Sequence, residues 1–209
     1  MAKLYFKFGA MGSSKTAQAL MTKFNYEEKG QRVWLIKPSV DNRDDFTDPD
    51  GNIRTVVRSR IGLSAEAEAI PHDFDILAQY DARSQNTRYS DVIICDECQF
   101  LTADQVDQMK TLADLRDIPV ICFGLRSDFQ TQLFEGSKRL FEIADSISEI
   151  KSICRCGRKA IVNVRFDDLG EVVIEGEQVC IGGNDRYEGL CHRCYRTLIA
   201  DKLARELNP

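Results

Sequence analysis

The residues best suited to chemistry lie near the start of the chain, where small side chains precede a lysine and a threonine. Gly9 is followed by Ser14-Lys15-Thr16, which matches the phosphate-loop pattern G-x-x-x-x-G-K-[ST] except that serine replaces the second glycine. In such a loop the backbone N–H groups approach phosphate oxygens, the lysine adds positive charge and the threonine hydroxyl can bind Mg²⁺. The alternative is an ordinary glycine-containing turn. The predicted nucleotide-binding residues here are Gly9, Ala10, Met11, Gly12, Ser13, Ser14, Lys15 and Thr16.

Two adjacent acidic residues form a second candidate element. Asp96 and Glu97 follow the apolar run Val92–Cys95. Because sites of open α/β sheets lie beyond the carboxyl ends of strands, Asp96 is expected to hold Mg²⁺, directly or through water. Acidic pairs after a strand also occur at exposed corners, but the phosphate loop earlier in the chain favours the functional interpretation.

Four of the eight cysteines form two close pairs, C-x-C and C-x2-C. In a reducing compartment this arrangement indicates a closed, tetrahedral Cys₄ zinc site with a structural role, and thiols without a metal are the alternative. His192 lies inside the second pair but is not expected to be a ligand, because four thiolates already complete the tetrahedron. Cys95 and Cys122 lie in apolar runs and are expected in the core. The predicted zinc ligands are Cys154, Cys156, Cys191 and Cys194.

Strand and helix patterns alternate around these motifs. Short apolar runs predict strands at Leu4–Phe8, Arg32–Ile36, Val92–Cys95 and Val120–Phe123. Helices are predicted to begin near Lys15 and after Thr102. Thr102 and Gln105 match a capping box, in which a serine or threonine is followed three residues later by glutamate or glutamine. The pattern predicts an α/β fold, a P-loop NTPase-like, mainly parallel sheet with helices on both faces.

The character of the chain changes after Ile150, which predicts a division into an α/β domain over 1–150 and a small zinc-binding domain over 151–209. In the second part, residues 160–166 and 171–174 flank a turn and predict a hairpin, and an amphipathic helix ends the chain. Residues 41–60 are rich in turn signals and are expected to leave the core as an excursion.

Composition excludes several classes of protein. The 209 residues carry 28 basic and 33 acidic side chains, a net charge of −5. A protein that binds nucleic acid polymers is expected to be basic, so no such partner is predicted. No apolar run approaches the roughly 18 residues of a membrane span, and we expect a cytoplasmic protein that does not bind membranes.

Together these motifs, in this order, resemble the type II thymidine kinases. Residues 8–16 resemble the family's phosphate loop, including Met11, and residues 96–100 resemble its D-E-x-Q segment. Residues 124–129 resemble its substrate-side strand end, and residues 179–187 resemble the loop that closes over the base. The likeness covers nearly the whole chain.

The resemblance implies transfer of the γ-phosphate of ATP to the 5′-hydroxyl of thymidine, with deoxyuridine as a second substrate, in nucleotide salvage for DNA synthesis. It gives Glu97 the role of catalytic base and places Arg43 and Gln99 near the nucleotide. Tyr187, otherwise a partly buried surface tyrosine, would bind the nucleoside. The implied substrate-binding residues are Phe129, Gln178, Val179, Cys180, Ile181, Gly182 and Tyr187.

The resemblance also implies a mechanical role for zinc, whose site would pin both ends of a lasso-like substrate loop in a lid domain. A homotetramer that is inhibited by thymidine triphosphate follows from the resemblance alone. Two other functions share part of the evidence. A P-loop ATPase or another nucleoside kinase would use the same Lys15, Thr16 and Asp96. A zinc-ribbon module that binds ATP only as a conformational ligand, perhaps on nucleic acid, is disfavoured by the negative charge.

Overall fold

The computed structural model describes residues 1–179 and 186–207, and its centre is a six-stranded sheet. Within those residues the strands are β1 (Leu4–Phe8), β2 (Val33–Pro38), β3 (Phe46–Thr47), β4 (Ile53–Arg54), β5 (Val56–Arg58), β6 (Ser64–Glu66), β7 (Glu68–Ile70), β8 (Val92–Cys95), β9 (Val120–Gly124), β10 (Ser146–Glu149), β11 (Ser152–Ile153), β12 (Lys159–Ala160), β13 (Val162–Arg165) and β14 (Tyr187–Leu190). The α-helices are α1 (Lys15–Glu27), α2 (Ile76–Arg83), α3 (Ala103–Arg116), α4 (Glu135–Ile143) and α5 (His192–Leu207).

The central sheet is parallel, with the order β10-β1-β9-β8-β2-β7. Every residue of β8 and β9 is buried, as expected for central strands that helices cover on both faces. This confirms the predicted α/β fold. The edge strands β7 and β10 were not predicted, because their short and partly polar sequences lack an apolar run.

Helices cover both faces of the sheet, and each face has its own hydrophobic core. Alternate residues of the strands pack against α2, α3 and α4 on one side, where Trp34 contacts Tyr80 and Tyr89. The residues between them pack against Ala19 and Leu20 of α1 on the other side. This division follows from the period of two in a strand, which sends successive side chains to opposite faces.

Helix α3 begins at the predicted capping box. The hydroxyl of Thr102 accepts a hydrogen bond from the backbone N–H of Gln105 at 3.1 Å, and the side-chain oxygen of Gln105 accepts one from the backbone N–H of Thr102 at 3.2 Å. Two otherwise unpaired N–H groups at the start of the helix are thereby satisfied. The predicted local signal and the observed geometry agree.

The chain after residue 150 forms small antiparallel sheets around a third hydrophobic cluster. β13 pairs over its whole length with β14, whereas only a single bridge, Phe166 with Val172, joins the two segments predicted to form a hairpin. The local turn forms beside this long-range pairing, with the backbone N–H of Asp167 donating to Glu171 and that of Val173 donating to Arg165, each at 2.9 Å. The third cluster includes Ala10 from the phosphate loop. The boundary at residue 150 stays a prediction.

The excursion predicted over residues 41–60 contains the small β3–β4 hairpin and the first strand of a second hairpin, β5–β6.

In the part of the chain that the structure covers, none of the helices combines the length and the apolar character needed to cross a bilayer.

Candidate active site

The phosphate loop connects β1 to α1 and wraps around the side chain of Lys15. The buried ammonium group donates to the carbonyl oxygen of Ala10 at 3.0 Å, and it lies 3.4 Å from the carbonyl oxygen of Gly9 and from Oγ of Ser13. Burial lowers the pKa of Lys15, and the nearby charges of Glu97 and Asp96 oppose that shift. With the N-terminus of α1 adjacent, the loop concentrates positive charge where an anion can bind.

Ser14, the departure from the phosphate-loop pattern, occupies the left-handed region with φ 62°. Its exposed side chain makes no capping hydrogen bond to α1. The pattern's preference for glycine at this position is therefore conformational, since glycine adopts a positive φ without steric penalty.

Replacing Ser14 by glycine should relieve this strain without disturbing the site. A left-handed L-residue costs roughly 1–2 kcal/mol and glycine adds unfolded-state entropy, so we expect a net gain of about 0.5–1 kcal/mol. Thermal unfolding should show a melting temperature about 1–4 °C higher. The KM for ATP should stay within twofold of wild type. A larger change in KM would mean that the Ser14 side chain itself contacts the nucleotide.

Asp96 lies at the carboxyl end of β8 and is almost fully buried. Burial, helped by the charge of Glu97, raises its pKa to about 7, and a side-chain hydrogen bond with Thr16 opposes this shift. Its Oδ1 has no hydrogen-bond partner within the described residues. An unpaired buried carboxylate oxygen beside a threonine hydroxyl is an oxygen donor set that fits Mg²⁺, which prefers oxygen ligands.

Glu97 follows in a strained conformation, with φ 51° at a residue that is not glycine. Two donors hold its carboxylate. Nη2 of Arg43 donates to Oε1 at 3.0 Å, and Nε2 of Gln99 donates to Oε2 at 2.6 Å. The side chain is 15% exposed, so both carboxylate oxygens are fixed yet remain open to the adjoining cleft.

Gln99 is itself clamped by the neighbouring strand. Its Oε1 accepts a hydrogen bond from the backbone N–H of Leu125 at 3.0 Å. Gly124, at the end of β9, makes room for this contact, since a Cβ there would stand 2.7 Å from Oε1 of Gln99. Gln99 also lines the apolar pocket described next, and its place near the nucleotide stays a prediction.

Two pockets meet at the carboxyl edge of the sheet. One is lined by the phosphate loop and by residues 58–61, and the other is largely apolar, with an open volume of ≈ 590 Å³. Met11, Arg43 and Glu97 line both pockets. A molecule in one pocket would therefore meet a molecule in the other at these three side chains.

The apolar pocket combines aromatic walls with a few polar groups, as expected for a site that binds a flat, polar-edged ligand. Oδ2 of Asp128 accepts a hydrogen bond from Nε2 of Gln178 at 2.8 Å, and the hydroxyl of Tyr195 donates to the carbonyl oxygen of Phe129 at 3.0 Å. The guanidinium of Arg165 stacks on the Phe129 ring, 5.0 Å from its centroid. These contacts join the segment after β9 to the part of the chain after residue 150.

Four of the predicted substrate-binding residues line this pocket: Phe129, Gln178, Val179 and Tyr187. The other three, Cys180, Ile181 and Gly182, lie outside the described residues. The sequence analysis did not assign Phe100, Leu125, Asp128, Phe134 and Asn163, which also line it. Asp128 carried the same signal as Asp96, an acid shortly after a buried strand. Asn163 carried none, because its partners are distant in sequence.

The β13–β14 strand pair contacts the phosphate loop directly. Oδ1 of Asn163 accepts a hydrogen bond from the backbone N–H of Met11 at 2.8 Å, and Nδ2 donates to the carbonyl oxygen of Ser127 at 2.7 Å. Gly189, the register partner of Asn163, faces the next peptide group, and a Cβ there would stand 2.6 Å from the Met11 carbonyl oxygen. The β13–β14 strand pair therefore contacts the backbone of Met11 at both its N–H and its carbonyl oxygen.

We expect Gly189→Ala to disturb the phosphate loop from outside it. The added Cβ would overlap a backbone oxygen, and such overpacking costs roughly 1–3 kcal/mol. If about 1.4 kcal/mol of this falls on nucleotide binding, the KM for ATP rises about tenfold. Steady-state kinetics at saturating nucleoside measure the change. Glu188→Ala, at the adjacent position on the opposite face of β14, is the control that should leave this KM unchanged. Equal KM values for wild type and Gly189→Ala would contradict the proposed contact between β14 and the phosphate loop.

The four cysteines predicted as ligands converge. Their sulfur atoms all lie within 4.8 Å of one another, and Sγ of Cys156 is 3.5 Å from that of Cys154 and 3.6 Å from that of Cys191. Four sulfurs 2.3 Å from a central zinc are about 3.8 Å apart, so the spacing fits a zinc ion. A hydrogen bond from the Cys194 backbone helps to lower the pKa of Cys191 to about 6, whereas hydrogen bonds with the other three sulfurs raise the pKa of Cys194 to about 12.

Comparison with known proteins agrees with the geometry. The family model described as thymidine kinase matches residues 2–195. The chain is 41% identical to the thymidine kinase of Shewanella oneidensis over 96% of this chain and 100% of that protein. It is 45% identical to the thymidine kinase of Novosphingobium aromaticivorans, covering 92% and 96%, and 42% identical to that of Vibrio cholerae, covering 94% and 97%.

Proposed function

The chain belongs to the thymidine kinase family, and we propose that it moves the γ-phosphate of ATP to the 5′-hydroxyl of thymidine at the wall between its two pockets. It is a transferase that phosphorylates thymidine, a reaction of nucleotide salvage. The observation that carries the finer proposal is that Met11, Arg43 and Glu97 line both pockets. A hydroxyl in one pocket and a phosphate in the other would meet there.

On the nucleoside side, Phe129 packs near the base and Gln178 and Tyr187 supply polar groups, while Glu97 accepts a hydrogen bond from the 5′-hydroxyl. A carboxylate is a weak base toward an alcohol. Because the transition state of phosphoryl transfer is loose, orienting the hydroxyl in line contributes more than early removal of its proton. Arg43 and Gln99 support this role by fixing both carboxylate oxygens.

On the nucleotide side, the phosphate loop binds the phosphates through its backbone N–H groups and Lys15. Thr16 and Asp96 would hold Mg²⁺, which supplies charge neutralisation at the phosphate oxygens when it is bound. The buried, unpaired Oδ1 of Asp96 supports this assignment. The four-cysteine cluster would hold structural zinc and thereby stabilise the β13–β14 strand pair where it contacts the phosphate loop.

The chemistry of the pockets also supports a second substrate and an inhibitor. Deoxyuridine lacks one methyl group, worth about 1–3 kcal/mol in an apolar pocket, and should be the weaker substrate. Thymidine triphosphate would extend from the nucleoside pocket across the shared wall into the phosphate-loop pocket, and would therefore compete with both substrates.

We further propose a homotetramer, for which the exposed Met21 and Phe24 on α1 offer an apolar face. We also propose a cytoplasmic location, where four adjacent thiols stay reduced and available to zinc. The mass of the assembly in solution tests the first of these.

One assay separates the proposed function from its rivals. ATP consumption is measured with thymidine, deoxyuridine, deoxycytidine and single-stranded DNA in turn. We expect turnover with thymidine, weaker turnover with deoxyuridine and none stimulated by DNA. Hydrolysis stimulated by DNA without a nucleoside would support a nucleic-acid-dependent ATPase instead.

A further inference from the structure

Lys37, at the end of β2, is a buried cation for which neither the sequence motifs nor the family resemblance gave a role. Its side chain is 1% exposed. Other buried charged residues, such as Lys15, Asp96 and Asp128, lie at the two pockets or at the phosphate loop. Lys37 is not one of the described residues that line those pockets. A charge buried away from the site requires compensation, and its partners show what it organises.

The ammonium group of Lys37 gathers three points of the excursion that follows β2. Nζ lies 2.9 Å from Oδ1 of Asp45, donates to the carbonyl oxygen of Val56 at 2.9 Å, and lies 3.8 Å from Oδ2 of Asp41. Asp45 also accepts the backbone N–H of Val56 at 3.1 Å. One buried cation thus binds two positions near the start of this stretch and one near its end.

From Lys37 a chain of alternating charges continues to the proposed reaction centre. Oδ1 of Asp41 accepts a hydrogen bond from Nε of Arg43 at 2.5 Å, and Nη2 of the same guanidinium donates to Oε1 of Glu97 at 3.0 Å. Asp41 is buried, and the Arg43 side chain is 27% exposed. The Asp41 carboxylate therefore orients Arg43, and Lys37 forms an ion pair with the other oxygen of that carboxylate.

We propose that Lys37 is a positioning residue, which holds Asp41 so that Arg43 keeps Glu97 aligned in the wall shared by the two pockets. The inference rests on the proposed function, because it acts through the role given to Glu97. An apolar side chain of similar volume would pack in the place of Lys37, and buried ion pairs often contribute little net stability. A buried lysine here instead fixes the direction of the carboxylates around it.

The test is a double-mutant cycle with Lys37→Met, Arg43→Met and the combined variant. In the wild-type background we expect Lys37→Met to lower kcat between about 10- and 100-fold, as small misplacements of a catalytic group do. The KM values for thymidine and ATP should change less than about threefold, because Lys37 lies outside both pockets. With Arg43 already replaced, Lys37→Met should lower kcat less than about twofold, since its route to Glu97 is gone.

Equal losses of kcat in both backgrounds would overturn the proposal, since a merely structural role does not depend on Arg43. Lys110→Met is the control, because Lys110 also bridges two aspartates, Asp114 and Asp145, but no ion pair among the described residues links these to Glu97. Its kcat should stay within twofold, and a loss as large as that of Lys37→Met would also overturn the proposal.

Folding and the proposed function are controlled separately. If Lys37→Met does not fold, Lys37→Met with Asp45→Asn removes the uncompensated carboxylate and takes its place in the cycle. Wild-type turnover of thymidine is measured first. Its absence would refute the proposed function, whereas equal losses in the cycle would refute only the role of Lys37.

Discussion

Glu97→Gln is expected to lower kcat about 10³-fold, within the range of roughly 10²–10⁴ typical of a positioned acid–base group. Such a loss corresponds to about 4 kcal/mol of transition-state stabilisation. Glutamine fills the same volume, but its amide cannot take the proton of the 5′-hydroxyl. Its NH₂ group must also face one of the two donors, Arg43 or Gln99, that now bind the carboxylate.

Binding of ATP should survive this substitution, because the phosphate loop and Asp96 are unchanged. Steady-state turnover of thymidine measures kcat, and equilibrium binding of a non-hydrolysable ATP analogue measures affinity. Glu68→Gln is the matched control. Glu68 is another half-buried glutamate held by two donors, Trp34 at 2.8 Å and Arg83 at 2.7 Å, and it lies outside the described pocket walls. Turnover of Glu97→Gln within tenfold of wild type would contradict the assigned role.

Removal of zinc is expected to abolish thymidine phosphorylation while the central sheet remains folded. Structural zinc sites contribute about 10–16 kcal/mol to folding, as much as a whole domain's stability, so the third hydrophobic cluster should unfold without the metal. Strands β13 and β14 contribute Val164 and Leu190 to that cluster, and the same part of the chain supplies Gln178 and Tyr187 to the apolar pocket and Asn163 to the Met11 N–H. Both pockets should therefore lose a wall, and any residual activity should show a KM for thymidine raised more than about tenfold.

Trp34 provides the measurement, because it is the chain's single tryptophan and lies in the core of the central sheet. Its fluorescence should remain native after chelation or in Cys154→Ser, while activity is lost and metal analysis falls from about one zinc per chain to none. His192→Ala, within the second cysteine pair but not among the converging ligands, should keep both zinc and activity. Full activity in metal-free protein would refute the proposed coupling.

What the sequence could predict depended on how far apart the interacting residues lie. The phosphate loop, the acids after β8 and the cysteine pairs each carry their chemistry within a few residues, and the structure brings each set together. Asn163 could not be assigned, because its partner Met11 is 152 residues away along the chain. Lys37 comes directly after a predicted strand and belongs to no motif. Its three partners become apparent only once the chain is folded.

Backbone conformation was also beyond the sequence patterns. Ser14 and Glu97 both adopt a positive φ, although neither is a glycine. A pattern that expects glycine at position 14 marks a departure there without giving its cause. At position 97 the strain accompanies the sharp turn that directs a carboxylate out of a buried strand, which fits the tendency of strained residues to occur at functional sites.

The position of Ala10 within the third hydrophobic cluster bears on biosynthesis. The C-terminal segment cannot bury its own apolar face completely until β1 and the phosphate loop are in place, because part of the surface it packs on belongs to them. Since the ribosome makes that template first, the segment after residue 150 should fold after it. The isolated segment 151–209 would lack the surface that completes it.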